Sequence, residues 1–138
     1  MQNQGFPQQP QYPQAPQYDP RFDPQDIENT KYMNILAYIS LLFLIPMFVN
    51  KDSKFTKFHV NQGIVLCIFS VAGTIVFSIL GTIVAFIPFV GWMIGLVISL
   101  ISLVYSIVIF VFMILGIINT CTGKAKELPL IGKITIYK

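Results

Sequence analysis

Charged residues are scarce in this sequence, and they are missing altogether from two long stretches. Charged side chains make up 11% of the 138 residues and apolar ones 54%, whereas about a quarter of the residues of a soluble domain are charged. No Asp, Glu, Lys or Arg occurs in residues 32–50 or in residues 58–123. Since about 20 apolar residues cross the hydrocarbon core of a bilayer, the sequence predicts a membrane protein with one span in the first stretch and two in the second.

Residues that carry out chemistry are equally few. The chain has one histidine, His59, and two cysteines, Cys67 and Cys121. Proton relays and coupled transport need an ionisable group inside the bilayer, and acid–base catalysis needs a positioned histidine or carboxylate. Two separate thiols also do not form a metal site. We therefore expect no enzyme, no cofactor and no metal ion.

The charge balance bears on the partners of the chain. The net charge of +3 is small, and the basic residues flank the predicted spans instead of forming one basic face. This pattern is not typical of nucleic-acid binding, so no nucleic-acid partner is expected. The expected partners are membrane lipid, further copies of the chain, or another membrane protein.

The N-terminal region differs in composition from the rest. Residues 1–28 repeat Gln, Pro and Tyr without apolar periodicity. Because such a segment buries too little surface to offset the entropy of ordering, we expect residues 1–31 to form a disordered tail. The tail lacks the basic region and apolar core of a cleaved signal peptide, so the first span is expected to act as an uncleaved anchor.

The pattern predicts an all-α membrane protein with a membrane domain over residues 32–123. Its three predicted spans cover residues 32–49, 60–86 and 93–119. The first reaches only about 27 Å and contains Pro46 near its end, so a re-entrant or tilted segment is an alternative. Residues 87–92 are expected to form the turn of a tight hairpin between the last two spans. Residues 124–138 form a basic C-terminal tail.

The lysines predict an orientation. Cytoplasmic flanks of spans are enriched in Lys and Arg. Lysines occur in the 51–59 loop and in the C-terminal tail but not in the 87–92 turn. We therefore expect a multi-pass protein of the bacterial plasma membrane, with that loop and the C-terminus in the cytoplasm. The N-terminal tail would lie outside if the first span crosses fully, and in the cytoplasm if it is re-entrant.

Small residues recur every four positions along both helices of the predicted hairpin. The residues of the two stripes are Ser70, Thr74, Ser78 and Thr82 on the second span and Gly91, Gly95 and Ser99 on the third. Helices in lipid associate through small residues that let backbones approach closely. The stripes therefore predict close packing between the two helices. The alternative is that Gly, Ser and Thr are simply common in membrane helices.

Polar residues concentrate at the cytoplasmic edge of the predicted hairpin. This edge comprises Lys54, Lys57, Phe58, His59, Gln62, Lys124 and Lys126. The histidine and the glutamine lie three residues apart and so share one helix face. The edge could bind a protein partner or a lipid headgroup. The alternative is interfacial anchoring, with the glutamine capping a neighbouring backbone.

Several motifs together suggest a family. They are Ala37–Ile39 (AYI) with Leu44–Pro46 (LIP), Phe58–Gly63 (FHVNQG), Phe86–Trp92 (FIPFVGW), Gly116–Asn119 (GIIN) and Leu128–Gly132 (LPLIG). Residues 32–136 resemble a group of small bacterial membrane proteins of unknown function. That group is similar to the magnetosome MamF and MmsF proteins and, more distantly, to the chloroplast Tic-type import component. The resemblance implies a helical membrane bundle without known catalysis, and it establishes neither import nor mineral-related activity.

These observations favour a non-catalytic accessory or scaffold protein. It would present its basic cytoplasmic edge to a protein partner or to anionic lipid. The alternative is a subunit of an oligomeric channel or translocase. That role requires several copies, because three apolar helices enclose no polar path.

Overall fold

The fold is all-helical in the part of the chain that the computed structural model describes, residues 16–138. The α-helices are α1 (Pro24–Thr30), α2 (Leu44–Val49), α3 (Lys54–Ala85) and α4 (Gly91–Cys121). Two 3-10 helices, Met33–Tyr38 and Ser40–Phe43, lie between α1 and α2. Most of the predicted Gln/Pro-rich repeat lies outside the described residues.

Helices α3 and α4 form an antiparallel hairpin. The Ser53 hydroxyl begins α3 by accepting a hydrogen bond from the Thr56 amide at 2.9 Å. The two helices contain 32 and 31 residues, so each is about 45 Å or longer and exceeds the ~30 Å hydrocarbon core. In the connecting turn, Phe89 adopts a φ of 66°. A side chain at Gly91 would lie 2.5 Å from the Val84 carbonyl oxygen, so glycine is needed where α4 begins.

The outward surface of the hairpin is almost entirely apolar. Helices α3 and α4 are the two described helices long and apolar enough to cross a membrane, with mean hydropathies of 2.5 and 2.9. In the most apolar 18-residue stretch of each helix, 17% of the residues of α3 and 6% of those of α4 are buried by the protein itself. Their exposed Ile, Leu and Val side chains match a lipid environment and not water. The hairpin therefore supports the prediction of a membrane protein.

The first predicted span is a broken segment. Its 3-10 helix from Met33 to Tyr38 has 6 residues, about 12 Å, and the 3-10 helix from Ser40 to Phe43 continues into α2, which gives a second limb, Ser40–Val49, of about 17 Å. Between them the chain changes direction at Ser40, which has a φ of 44°. A positive φ is uncommon for a residue other than glycine and marks a sharp local turn. Neither limb is long enough to cross the hydrocarbon core.

Both ends of this segment lie at the same end of the hairpin. The Lys31 carbonyl accepts a hydrogen bond at 3.1 Å from the Thr120 hydroxyl, next to the C-terminus of α4. At the other end, the Asn50 carbonyl accepts one at 3.0 Å from the amide of Ser53, the residue that begins α3. We call residues 32–49 the re-entrant segment. Three spans are therefore not confirmed, and the placement of both ends of the segment at one end of the hairpin is the arrangement that the re-entrant alternative predicts.

The tip of the re-entrant segment is wedged between α3 and α4. The Tyr38 hydroxyl is 2.8 Å from Nδ1 of His59, and both side chains are buried. The Tyr38 ring occupies the space that a side chain at Gly116 would need. The Ala37 carbonyl oxygen lies directly against Gly63. Glycines at these two positions let the segment approach both helices more closely than any other residue would.

Residues 16–31 are ordered, in place of the disorder expected as far as residue 31. The Asp23 carboxylate caps α1 by accepting from the Gln25 amide at 2.8 Å. Ile27 is fully buried against Phe55 and Ala125. Isolated apolar residues within this polar stretch therefore pack against residues of α3 and of the C-terminal segment, residues 122–138. The local composition does not reveal these contacts.

The ordered regions at this end of the hairpin form one polar unit, which we call the head. It comprises residues 16–31, 50–57 and 122–138. All 9 basic and all 6 acidic residues of the chain lie in these ranges. The Asp19 amide donates to the Gly123 carbonyl at 2.9 Å, and the Phe55 amide donates to the Asp26 carboxylate at 3.3 Å. These contacts connect the three parts of the head.

Replacing Gly63 with Ala tests the contact between the re-entrant segment and α3. The new methyl group would overlap the Ala37 backbone carbonyl, so we expect a loss of about 1–3 kcal/mol in the free energy of unfolding. The matched control is Gly81→Ala, because no neighbouring atom lies within 4 Å of a side chain there. Thermal unfolding in mild detergent measures both. Equal transition temperatures for the two variants would contradict the contact.

Candidate functional site

The start of α3 and the end of α4 lie side by side and bring the lysines of the predicted basic edge together. Helix α3 begins and α4 ends in the head, where Phe55 and Ala125 pack against each other. The lysines on either side of this contact are Lys54, Lys57, Lys124 and Lys126. All are exposed except Lys57, which is half-buried, as is Phe58. The lysine part of the predicted edge is therefore assembled in three dimensions from two distant parts of the sequence.

His59 lies inside the protein and not on the surface of the edge. Its exposed fraction is 0%, and its ring packs edge-on against Phe55 and Phe58 at centroid distances of 4.5 and 5.3 Å. Nδ1 is bound to Tyr38, whereas Nε2 has no hydrogen-bond partner among the described residues. The only imidazole of the chain is thus a packing group between the re-entrant segment and α3.

Gln62 is also buried, and it binds the C-terminal segment. Its Nε2 donates to the Gly132 carbonyl at 2.7 Å, and its Oε1 accepts from the Leu128 amide at 3.1 Å. The side chain thereby satisfies backbone groups of the segment that follows α4. This is the backbone-capping alternative that the sequence left open for the glutamine.

Asn61 completes the attachment, and sequence reasoning did not single it out. Its Oδ1 accepts from the amides of Ile136 and Tyr137 at 2.6 and 2.9 Å, and its Nδ2 donates to the Ile134 carbonyl at 2.8 Å. We call Asn61 and Gln62 together the amide clamp. Two adjacent amides at the start of an apolar span were a usable signal, because a buried amide must find hydrogen-bond partners.

The LPLIG motif is the part of the C-terminal segment that the clamp holds. Leu128 and Ile131 are buried in the same apolar cluster as Val60 of α3. Between them Leu130 has a φ of 68° and is 95% exposed. The FHVNQG and LPLIG motifs, which are far apart in the sequence, therefore form one structural unit.

Two ion pairs stabilise the N-terminal part of the head. Arg21 pairs with Asp19 at 2.9 Å, and its hydrogen bonds hold the pKa of that carboxyl well below its usual range. Lys31 pairs with Glu28 at 2.9 Å. Hydrogen bonds from the Tyr18 hydroxyl and from Lys31 lower the pKa of Glu28. The other lysines of the head form no ion pair among the described residues, so the edge keeps its positive charge.

A cleft of about 310 Å³ lies between the start of α3 and the C-terminal segment. Its lining includes three lysines, Lys57, Lys133 and Lys138, and one acid, Glu127. Asn61 and Gln62 also line it, with their amides engaged in the clamp. We call it the lysine cleft. No group of three His, Cys, Asp or Glu side chains suited to a metal ion occurs within residues 16–138.

Most residues of the small-residue stripes are exposed, and two of them, Ser70 and Thr74, line a cleft between α3 and α4. Thr74, Thr82 and Ser99 are exposed, and their hydroxyls donate to carbonyl groups one turn earlier in their own helices. Ser78 is exposed as well, and Ser70 is half-buried. At Gly95 a side chain would meet only Val84, at 4.0 Å. Their role in packing the two helices stays a prediction.

In the middle of the hairpin, α3 and α4 are in close contact at Gly73, which is outside the two stripes. Gly73 of α3 lies against the ring of Tyr105 of α4, leaving no room for a side chain. The Tyr105 hydroxyl donates to the Phe69 carbonyl. A ring on one helix therefore fits over a glycine on the other, as the Tyr38 ring does over Gly116.

Comparison with known proteins identifies the family. Residues 29–135 match the family model MamF_MmsF, the magnetosome magnetite crystal formation protein family. The chain belongs to the MamF/MmsF family. This match covers α3, α4, the re-entrant segment and nearly all of the C-terminal segment, so it includes both motifs that the clamp joins.

Two relatives of the MamF/MmsF family come from Paramagnetospirillum magneticum. The magnetosome protein MmsF is 30% identical over 104 residues, which cover 75% of this chain and 82% of that protein. The magnetosome protein MamF is 26% identical over 98 residues, which cover 70% and 74%. No solved structure matches the chain. The magnetosome part of the resemblance is confirmed, and the chloroplast part stays a prediction.

Replacing Asn61 with Ala tests the amide clamp. The part-buried amides of Ile136 and Tyr137 would lose their acceptor, at a cost of about 1 kcal/mol for each bond and about 2 kcal/mol in all. We therefore expect hydrogen exchange at these two amides to become about 30-fold faster, measured in detergent by mass spectrometry or NMR. The control is Asn50→Ala, because the Asn50 side chain makes no hydrogen bond within the described part of the chain. Unchanged exchange in the Asn61 variant would show that the clamp does not hold the segment.

Proposed function

We propose that this member of the MamF/MmsF family is a non-catalytic accessory protein that acts through its head. The hairpin anchors the head at a membrane. The exposed lysines of the edge then bind an acidic surface of a protein partner or anionic lipid. The family description refers to the formation of magnetite crystals, and in this proposal the head is the part of the chain that contributes to such a process.

One observation carries this proposal. All charged side chains of the chain belong to one end of the hairpin, and the rest of α3 and α4 is uncharged. Ionic recognition of a partner, a lipid or an ionic surface therefore has to involve the head. The tip of the hairpin, residues 86–90, offers apolar side chains such as Phe86 and Phe89, which are 82% and 94% exposed.

The state of the lysines also supports the proposal. Lys54, Lys124 and Lys126 are exposed and are not paired with a carboxylate among the described residues. Each lysine near an anionic membrane surface contributes about 1 kcal/mol to binding. His59, in contrast, is buried and bound to Tyr38, which favours a structural role over a catalytic one.

The channel or translocase alternative is less well supported. Two antiparallel helices with apolar outer surfaces do not enclose an aqueous path, so several copies would have to assemble.

Photo-crosslinking in cells tests the proposed role of the head. A photoreactive amino acid would replace Asp52 or Thr122, which are exposed in the head, or Phe89 at the tip as the control. We expect a defined protein or lipid adduct from the two head positions and none in common with the tip. The adduct should be lost when Lys54, Lys57, Lys124 and Lys126 are all changed to Gln.

The outcome that contradicts the proposal is equally specific. The same adducts, in equal yield, from the chain with all four lysines neutralised would show that the basic edge does not recognise the partner. The tip control separates recognition by the head from random collision within the membrane.

A further inference from the structure

We infer that the lysine cleft is a binding site for the headgroup phosphate of an anionic phospholipid. This inference rests on the proposed function, because it names one ligand of the head and the place where that ligand binds. It differs from the proposed function in the residues involved. Of its three lysines, only Lys57 belongs to the predicted edge.

The cleft is a partly open concavity whose walls come from two parts of the chain. Its volume of about 310 Å³ is at the lower end of the range for small-molecule sites in proteins. One wall is the start of α3 with Lys57, and the other is the C-terminal segment with Lys133 and Lys138. Two parts of the chain that are distant in sequence therefore contribute lysines to the lining of one cleft.

The amide clamp fixes the backbone on which two of these lysines are mounted. Lys133 directly follows Gly132, whose carbonyl is bound by Gln62 at 2.7 Å. Lys138 directly follows Tyr137, whose amide is bound by Asn61 at 2.9 Å. The positions of both lysines relative to α3 are thus set before a ligand arrives, which lowers the entropic cost of binding.

The charge of the residues that line the cleft favours an anion as the ligand. Three lysines face one acid, Glu127, and none of the four side chains forms an ion pair within the described residues. The head does pair its other basic groups where a carboxylate is close, as for Arg21 with Asp19 at 2.9 Å. Three lysines and one acid give the lining a net positive charge, which a bound anion would balance.

The position of the cleft favours a lipid over a soluble anion. Lys57 is the last charged residue before the uncharged stretch that begins at Phe58, which puts the cleft at the border of the bilayer. The same C-terminal segment exposes apolar side chains, with Leu130 at 95%, Ile134 at 42% and Ile136 at 52%. A phospholipid offers a phosphate to the lysines and acyl chains to this apolar surface, whereas a free phosphate or an acidic peptide offers only charge.

Native mass spectrometry of the full chain in mild detergent tests the inference. The protein would be titrated with phosphatidylglycerol and with phosphatidylcholine of the same acyl chains, with and without inorganic phosphate. The test variant is Lys57→Gln, Lys133→Gln, Lys138→Gln. A second variant, Lys54→Gln, Lys124→Gln, Lys126→Gln, removes the same charge from the predicted edge and is called the edge variant. The control is Lys51→Gln, an exposed lysine of the head that lies in neither the edge nor the cleft. Thermal unfolding of all three variants checks that the fold is kept.

We expect the unaltered chain to retain one phosphatidylglycerol in preference to phosphatidylcholine. The cleft variant should bind it about 100-fold more weakly, since each lysine near an anionic surface contributes roughly fivefold. The edge variant should lose less affinity than the cleft variant, and the Lys51→Gln control should stay within about threefold of the unaltered chain.

Four results would overturn the inference. They are retention of both lipids alike, equal losses in the cleft and edge variants, a larger loss in the edge variant, and displacement of the lipid by inorganic phosphate. A larger loss in the edge variant would leave the proposed function of the edge standing while removing the cleft. If the crosslinking experiment fails and the cleft variant behaves as expected, the lipid site in the cleft stands and the proposed function of the edge is removed.

Discussion

The insertion of Tyr38 and Ala37 between α3 and α4 is the contact on which the rest of the structure depends. Gly63 and Gly116 leave room for it, and the hydrogen bond between Tyr38 and His59 fixes its orientation. Because the re-entrant segment fills this space and then turns back, its two ends emerge on one side of the hairpin. The N-terminal segment, the start of α3 and the C-terminal segment therefore meet and form the head.

The head in turn positions the charged groups. Asn61 and Gln62 use their side-chain amides to hold the segment after α4 against α3, so they contribute structure and not direct recognition. Once that segment is held, the lysines of both helix ends share one surface, and Lys57 shares a cleft with Lys133 and Lys138. The glycines allow the re-entrant segment to insert, and the insertion brings the parts of the head together. The amide clamp then holds the C-terminal segment, and this segment places unpaired lysines at the membrane border.

The hairpin was predictable from the sequence because an uncharged stretch as long as residues 58–123 can form few structures in a short chain, and two membrane-spanning helices are the simplest of them. The first span was harder, because a run of apolar residues does not record a positive φ at Ser40 or the 3-10 geometry on either side of it. Order in residues 16–31 depends on Ile27 reaching Phe55, a contact with a distant part of the chain. The lysines of the edge were found from their positions around the spans. The burial of His59 was missed because its partner, Tyr38, arrives from the re-entrant segment.

The central claim is that the chain crosses the membrane twice and that residues before and after the hairpin share one compartment. Its most direct test uses single cysteines in place of Asp23, Lys126 and Phe89, in a chain whose Cys67 and Cys121 are changed to Ser. Sealed membranes would be treated with an impermeant maleimide. Positions 23 and 126 should react from the same face, with position 89 protected or reactive only from the other. Labelling of positions 23 and 126 from opposite faces would contradict the re-entrant fold.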